Sequence, residues 1–266
     1  MPRANRYYLP GHVWHLTHRC HDRAHLLNTA RVRERWLHWL YEARKRFDLC
    51  ILDYNVTRNH IHLVVESGDR RDTIPRSMQL IAGQTAEEYN ARVGRSGAFW
   101  NDRYHATAVE SGRHLLRCLA YVDLNMVRAG AVQHPRDWPH AGYHELVRPR
   151  RRYQHVSHER LAALLGLDSL AELQEIHQRA LQEALSMPLQ RDPIWTESVA
   201  VGSQEYVSRV DEELDWRAEG REVVGAEASS EVFVLREPAH PYGADFGPEN
   251  DPIGPKNMLL WDSIDV

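Results

Sequence analysis

Two histidines one residue apart, His60 and His62, sit inside the apolar, β-branched run Asn59-His60-Ile61-His62-Leu63-Val64-Val65. In a strand successive side chains alternate faces, so the two imidazoles share one face while Ile61, Leu63 and Val65 share the other. Paired imidazoles are poorly placed in an apolar core. The commonest task for such a pair is to hold a metal ion. The plainer account is two unrelated residues in a chain of 17 histidines.

A second group raises the interest of the first. Tyr121 and Asn125 are four residues apart and share a face of a predicted helix. His114, Arg117 and Arg128 fall on the same stripe. Together they offer a nucleophile, an oxygen ligand for a metal and phosphate-binding cations. For Tyr121 alone, packing against a neighbour is the ordinary fate of a helical tyrosine.

Other patterns compete. His15-Leu16-Thr17 and His105-Ala106-Thr107 are two HxT motifs on predicted strands, the arrangement of metal-free two-histidine phosphoesterases. In that chemistry His15 and His105 would be general acid and base. It leaves His60, His62 and the Tyr121 stripe unexplained. His18, Cys20, His21 and His25 match no common zinc spacing, and a polar turn is the simpler account.

The elements that must position these residues follow from periodicity. Residues 13–19 read as a first strand. From Thr29 to Phe47, Val32, Trp36, Leu40 and Ala43 recur at helical spacing. Leu49–Val56 and Ile61–Glu66 read as strands joined by the hairpin connection Thr57-Arg58-Asn59. A helix runs from Asp72 to about Val93. Phe99–Val109 reads as a fourth strand with its approach, and a helix runs from about Arg113 to Arg128, with Gly130 as its closing signal. This order predicts an α+β fold. It is a ferredoxin-like split βαβ sheet with helices on one face and an added catalytic helix. Beyond a boundary near residue 150, helices are predicted at Ser157–Leu165, Ser169–Leu185 and Gly202–Trp216, giving a mainly helical extension. After Gly220 the chain reads as loop-rich, although Phe233, Tyr242, Phe246, Leu260 and Trp261 give it something to pack.

Charge divides at the same boundary. Residues 1–150 carry 23 Lys+Arg and 15 Asp+Glu, a net of +8; residues 151–266 carry 10 and 22, a net of −12. Lys45 is the only lysine of the basic part, and arginine's rigid fork suits phosphate. A basic part around paired histidines points to nucleic acid. The acidic part would be repelled by DNA. It is expected to cover the basic site, hold a partner, mediate self-association or act as a scaffold. No apolar run approaches a membrane span, and three scattered cysteines form no disulfide framework. A cytoplasmic, nucleoid-associated protein with no membrane partner is expected.

Several ordered motifs carry a resemblance. His60-Ile61-His62 resembles the paired-histidine motif of the HUH endonucleases. Residues Phe99-Trp100-Asn101-Asp102-Arg103-Tyr104, the run from Tyr121 through Asn125 to Gly130, and Trp138-Pro139 resemble the REP-associated tyrosine transposases, relatives of single-strand insertion-sequence transposases. Gly11-His12-Val13-Trp14-His15-Leu16-Thr17 is similar to that family's first strand. The likeness spans about residues 1–150. It implies Tyr121 as nucleophile, His60, His62 and Asn125 as ligands of Mg²⁺ or Mn²⁺, and a 5′-phosphotyrosine intermediate. It also implies single-stranded DNA with a REP-like hairpin as substrate. A homodimer is compatible with it, and so is a non-catalytic protein that binds such hairpins. Arg58, Arg103, Arg117 and Arg128 are the phosphate contacts expected, and Tyr104 is expected to stack on a base. The chain departs from the family's pattern twice. Val56-Thr57-Arg58-Asn59 lacks the hydrophobic-Pro pair before the first histidine, and Met126 follows Asn125 where proline is usual.

Overall fold

The computed structural model describes residues 9–214, 220–226 and 231–237. Its element order is β1 (Val13–Arg19), α1 (Ala30–Phe47), β2 (Cys50–Val56), β3 (His60–Glu66), α2 (Thr73–Val93), β4 (His105–Val109), α3 (Arg113–Asp123) and α4 (Asn125–Arg128). There follow α5 (Tyr143–Val147), α6 (His158–Leu165), α7 (Leu170–Leu185), α8 (Ile194–Glu197), β5 (Ala200–Gly202), α9 (Gln204–Leu214), β6 (Glu222–Gly225) and β7 (Phe233–Arg236). No helix among the described residues is long and apolar enough to cross a membrane.

The first four strands lie in the order β2-β3-β1-β4, all antiparallel. With a helix after β1 and another after β3, this is the split βαβ arrangement. Alternation then decides which residues meet. In register, His62 lies opposite Thr17 and Asn55, and His15 lies opposite Val64 and Thr107. Directly opposed residues share a face, so His15, Thr17, Asn55, His60, His62 and Thr107 all project to one side.

Helices cover both sides of the sheet. His18, on the opposite face from His15, stacks on Trp100 with ring centroids 4.2 Å apart, and Trp100 Nε1 donates to the Ala82 carbonyl of α2. Helix α1 packs on α2 through that layer. The histidine face is covered by α3, which Asn55 Nδ2 fastens to β2 by donating to the Val122 carbonyl at 2.8 Å.

The extension adds strands as well as helices. β5 pairs in parallel with β4, and the sheet continues through β7 to β6, giving seven strands among the described residues. Strands of three and four residues leave no readable period, so the sequence reading of a loop-rich stretch after Gly220 misses β6 and β7. The predicted helices of the extension are present: Ser169 caps α7 by accepting from the Glu172 amide, and α9 ends at Leu214. Tyr242, Phe246, Leu260 and Trp261 lie outside the described residues.

At the other end of the sheet, the outer edge of β2 is paired rather than bare. Val56 N donates to His140 O, Gly142 N to Tyr54 O, and Ser157 N to Ile51 O. A Cβ on Gly142 would stand 2.2 Å from Asp53 Oδ1, so this approach requires glycine.

A buried carboxylate ties this region together. Glu145 accepts from the Tyr54 hydroxyl at 3.0 Å, from His155 N and Nδ1 at 2.8 Å each, and from Val156 N at 3.1 Å. Burial pushes its pKa up, but the bonds from His155 and the two amides outweigh burial and bring it down from 4.5 to about 2. A depressed folded pKa stabilises fully above about 4.5 and loses that stabilisation as pH falls toward 2. Glu145→Ala strands four buried donors and is expected to cost about 3–5 kcal/mol. Denaturant unfolding at pH 7 tests this; a loss below about 1 kcal/mol would contradict it. The wild-type advantage over Glu145→Ala should also shrink between pH 4.5 and 2.

Candidate active site

His60 and His62 point to one side as their spacing requires, with Nε2 atoms 3.1 Å apart. Their hydrogen-bond partners fix the tautomers. Asn59 Nδ2 donates to the Arg23 carbonyl at 3.3 Å, which turns Asn59 Oδ1 toward His60; His60 Nδ1–H donates to it at 2.7 Å. His15 Nδ1 lies 2.7 Å from the Trp195 carbonyl, which can only accept, so the proton is on Nδ1 and Nε2 is an acceptor. His62 Nδ1 lies 2.9 Å from that Nε2 and must donate to it. Both His60 and His62 are thereby left with a bare Nε2, and the two lone pairs face each other.

Burial holds all three rings neutral. It lowers His15 from 6.5 to about 4 and His60 from 6.5 to about 3, with Arg19 and Arg128 pushing His60 the same way. His62 is lowered by burial and by its two histidine neighbours.

The helix supplies the rest. α3 and α4 form one nearly continuous run interrupted at Leu124, whose ψ is 1°. The bonds Leu124 N to Ala120 O and Arg128 N to Leu124 O keep its axis. Asn125 Nδ2 donates to His62 Nε2 at 2.9 Å. The Tyr121 ring is buried edge-on to His62 and His15, with centroids 5.9 and 6.2 Å away. Arg128 stands over the Tyr121 ring at 4.0 Å and donates to the Tyr121 carbonyl at 2.6 Å. Its charge therefore lies on the ring face. Burial raises the Tyr121 pKa above 10 against the pull of Arg128 and Arg191, so the hydroxyl is protonated at neutral pH.

Whether these residues suit a divalent cation can be tested on the donor set. Cis donors about 2.1 Å from a six-coordinate Mg²⁺ stand about 3.0 Å apart. The pairs His60 Nε2–His62 Nε2 and Asn125 Nδ2–His62 Nε2 stand 3.1 and 2.9 Å apart. Turning the Asn125 amide over would put its oxygen where Nδ2 now lies. Two neutral imidazoles and an amide oxygen fit a hard or borderline dication. No group of three or more His, Cys, Asp or Glu suited to a metal occurs among the described residues. The third donor here would be the amide.

The two departures from the family's pattern have local explanations. Thr57 and Asn59 hold His60 through Nδ1 and the backbone, with Thr57 Oγ1 donating to the His60 carbonyl at 2.8 Å. Met126 is buried with Trp138 and Ala141.

Of the expected DNA contacts, Arg117 and Arg103 are exposed, Arg58 and Arg128 half-buried. Tyr104 is a correction: at 5% exposure its ring is packed in the main core and has no open face for a base. His114, from the same helical stripe, is buried beside Glu110 at 3.4 Å. The rival patterns find other partners. His105 Nε2 donates to the Ser198 carbonyl while His15 is held by Trp195 and His62, so the HxT histidines do not converge on one open pocket. Cys20 is buried and its thiol is pushed up to about 12, and His18 Nε2 donates to Asp102 O, so the zinc alternative has no thiolate there.

Reasoning from sequence missed His15 as a partner of His62, Arg19 beside the pair, and the contribution of residues 191–198. Trp195 lies 6.1 Å from Tyr121 between ring centroids, and Asp192 and Arg128 act on each other's charge. An HxT motif was the only sequence signal for His15; a backbone carbonyl 180 residues away has none.

Residues 9–125 match a family model described as transposase IS200 like. No curated protein matches the sequence. Among solved structures, a REP-associated tyrosine transposase bound to a REP hairpin is 20% identical over 58% of this chain and 90% of that chain, with a TM-score of 0.45. A structure described as a transposase from Deinococcus radiodurans R1 is 18% identical over 38% of this chain and 82% of that chain, with a TM-score of 0.31. The segment matched by the family model contains His60, His62, Tyr121 and Asn125 and ends before Arg128. On that segment, less than half of the chain, the sequence is similar to the IS200-like transposases.

Proposed function

We propose that the protein is a metal-dependent tyrosine endonuclease of transposase type that cleaves and rejoins single-stranded DNA. The observation that carries this reading is convergence. Three separate elements bring two bare imidazole nitrogens, an amide and a tyrosine to one place on one face of the sheet. A substrate of single-stranded DNA with a REP-like hairpin follows from the sequence resemblance, and the arginine-rich surface suits its phosphates.

Each residue has a task. His60, His62 and Asn125 would hold Mg²⁺ or Mn²⁺, which when bound withdraws charge from the scissile phosphate. Tyr121 Oη forms a bond to phosphorus as the bond to the 3′ oxygen breaks. The tyrosine proton is released and the 3′ oxygen takes one up. One phosphoester replaces another, so the step is reversible and the strand can be rejoined. Arg128 keeps the Tyr121 ring in place, and Arg117, one turn earlier on an exposed position, is a contact for the incoming backbone.

The burial and raised pKa of Tyr121 give a second reading some force. In it the protein binds hairpins as a regulator and cuts weakly or not at all. One variant separates the two. In Tyr121→Phe, covalent adduct on labelled hairpin oligonucleotides with Mn²⁺ should fall at least about 1000-fold while binding is retained. A wild-type protein that binds and never forms adduct favours the regulator. Adduct persisting in Tyr121→Phe assigns the nucleophile elsewhere.

Two further outcomes are expected. His60→Ala with His62→Ala should abolish cutting, as should EDTA with wild type; undiminished cutting in EDTA excludes the metal. Arg117→Ala should weaken DNA binding alike for all sequences and reduce the slope of log K against log salt by about 0.7 for one single-strand phosphate contact. An unchanged slope, read by fluorescence anisotropy across salt concentrations, removes Arg117 from the interface.

A further inference from the structure

The two HxT histidines serve neither in the Tyr121 chemistry above nor in a phosphoesterase pair. They share a feature: both bond to backbone carbonyls of residues 195–198. That stretch is firmly placed. Ala108 N donates to Val199 O at 2.8 Å and Glu110 N to Val201 O at 3.0 Å, so it is laid along the edge of β4. Thr107 Oγ1 adds bonds to the Ser198 and Trp195 carbonyls, at 2.7 and 3.3 Å. The Trp195 indole is buried.

We infer that His15 is a positioning residue for the cation site, and that the Trp195 carbonyl from the extension sets it through a carbonyl–His15–His62 relay. The inference rests on the metal-dependent reading above and deepens it. Each link has one allowed direction. The carbonyl has no proton, so His15 Nδ1 donates; a neutral ring has one N–H, so His15 Nε2 accepts; His62 Nδ1 therefore donates and its Nε2 faces the site bare. The rings of His15 and His62 lie within 9° of parallel, which suits a bond made near both ring planes. Without His15, the His62 ring can carry its proton on Nε2, where it blocks a metal. Partners that fix a ligand's tautomer in this way are worth about 10–100-fold in metal affinity.

The placement also ties the extension to the histidine-bearing segment. Residues 9–125 contain the donors, but the acceptor that orders them lies at residue 195. The residue that transmits this order is no ligand itself: both of its nitrogens are already bonded.

The test compares His15→Phe with His15→Gln in the full chain. Phenylalanine keeps the volume and loses both bonds. The glutamine amide can donate to the carbonyl and accept from His62. Mn²⁺ binding, followed by the loss of the free-ion electron paramagnetic resonance signal, should weaken about 10–100-fold in His15→Phe and stay within about threefold in His15→Gln. Imidazole ¹⁵N shifts supply a readout free of metal and activity. His62 should be protonated at Nδ1 in wild type and His15→Gln, and lose that preference in His15→Phe. A merely space-filling His15 would give wild-type behaviour in His15→Phe and a defect in His15→Gln, which overturns the relay. So would finding wild-type His62 protonated at Nε2. Mn²⁺ binding lost in His62→Ala yet unchanged in His15→Phe overturns the relay and leaves the metal reading standing. A wild-type protein that binds no Mn²⁺ overturns both.

Discussion

Two imidazole nitrogens 3.1 Å apart, each with its lone pair turned toward the other, repel. The surrounding structure has to hold them there, and much of it is arranged to do so. Each ring is anchored at its far nitrogen to an acceptor that is itself fixed: His60 to the Asn59 amide oxygen, whose other end is tied to Arg23, and His62 to His15 and so to Trp195. The sheet register sets the distance between those anchors. A slip of one residue between β1 and β3 would turn His15 to the far face and leave His62 free to choose its tautomer. The cost of burying polar groups is met by giving the far nitrogen of each ring a defined partner, and by the Asn125 amide, which donates to His62 Nε2.

Besides the outer edge of β2, the extension grips the histidine-bearing segment in two places. One is the edge of β4, which places the Trp195 carbonyl. The other is α3, the helix that carries Tyr121. There Asp123, two residues on and buried, is bonded to His177 of α7 at 2.7 Å, and both act on the charge of Asp53 of β2. Burial pushes both carboxyl groups up and lowers His177 to about 4, so this cluster carries less charge than three isolated groups would. The charge contrast of +8 against −12 thus does not separate two independent bodies. Acidic and basic parts share one sheet, and Asp192 of the acidic part acts directly on Arg128 of the basic part.

Much of this was legible in the sequence. β1 runs over the seven residues predicted, because a β-branched, aromatic stretch bounded by a polar turn has few alternatives. The hairpin, α1, α2 and the Tyr121 helix stand within a few residues of their expected limits. The shared face of His60 and His62 needed only the period of two. What was hidden is non-local. β5 is three residues long and is a strand only because β4 and β7 flank it. Tyr104 sits in a motif that looked like an interface and is core instead, since its position in that motif carries no sign of which way it turns. The His15–Trp195 bond joins a side chain to a carbonyl, and carbonyls are common to every residue.

The state of Tyr121 sharpens what catalysis would require. Arg128 is close enough to favour a phenolate, yet its guanidinium lies over the ring and spends a hydrogen bond on the backbone. A charge on the ring face steadies the ring's position more than it acidifies a hydroxyl at the ring's edge. Burial then wins, and the resting hydroxyl keeps its proton. On the proposed reading, a tyrosine in this condition would be activated only by something else entering the site: a cation near its oxygen, a phosphate that draws an arginine toward it, or both. The same burial that keeps the imidazoles neutral, with lone pairs to offer, keeps the tyrosine protonated. One physical cause, removal from water, has opposite consequences for a base and an acid.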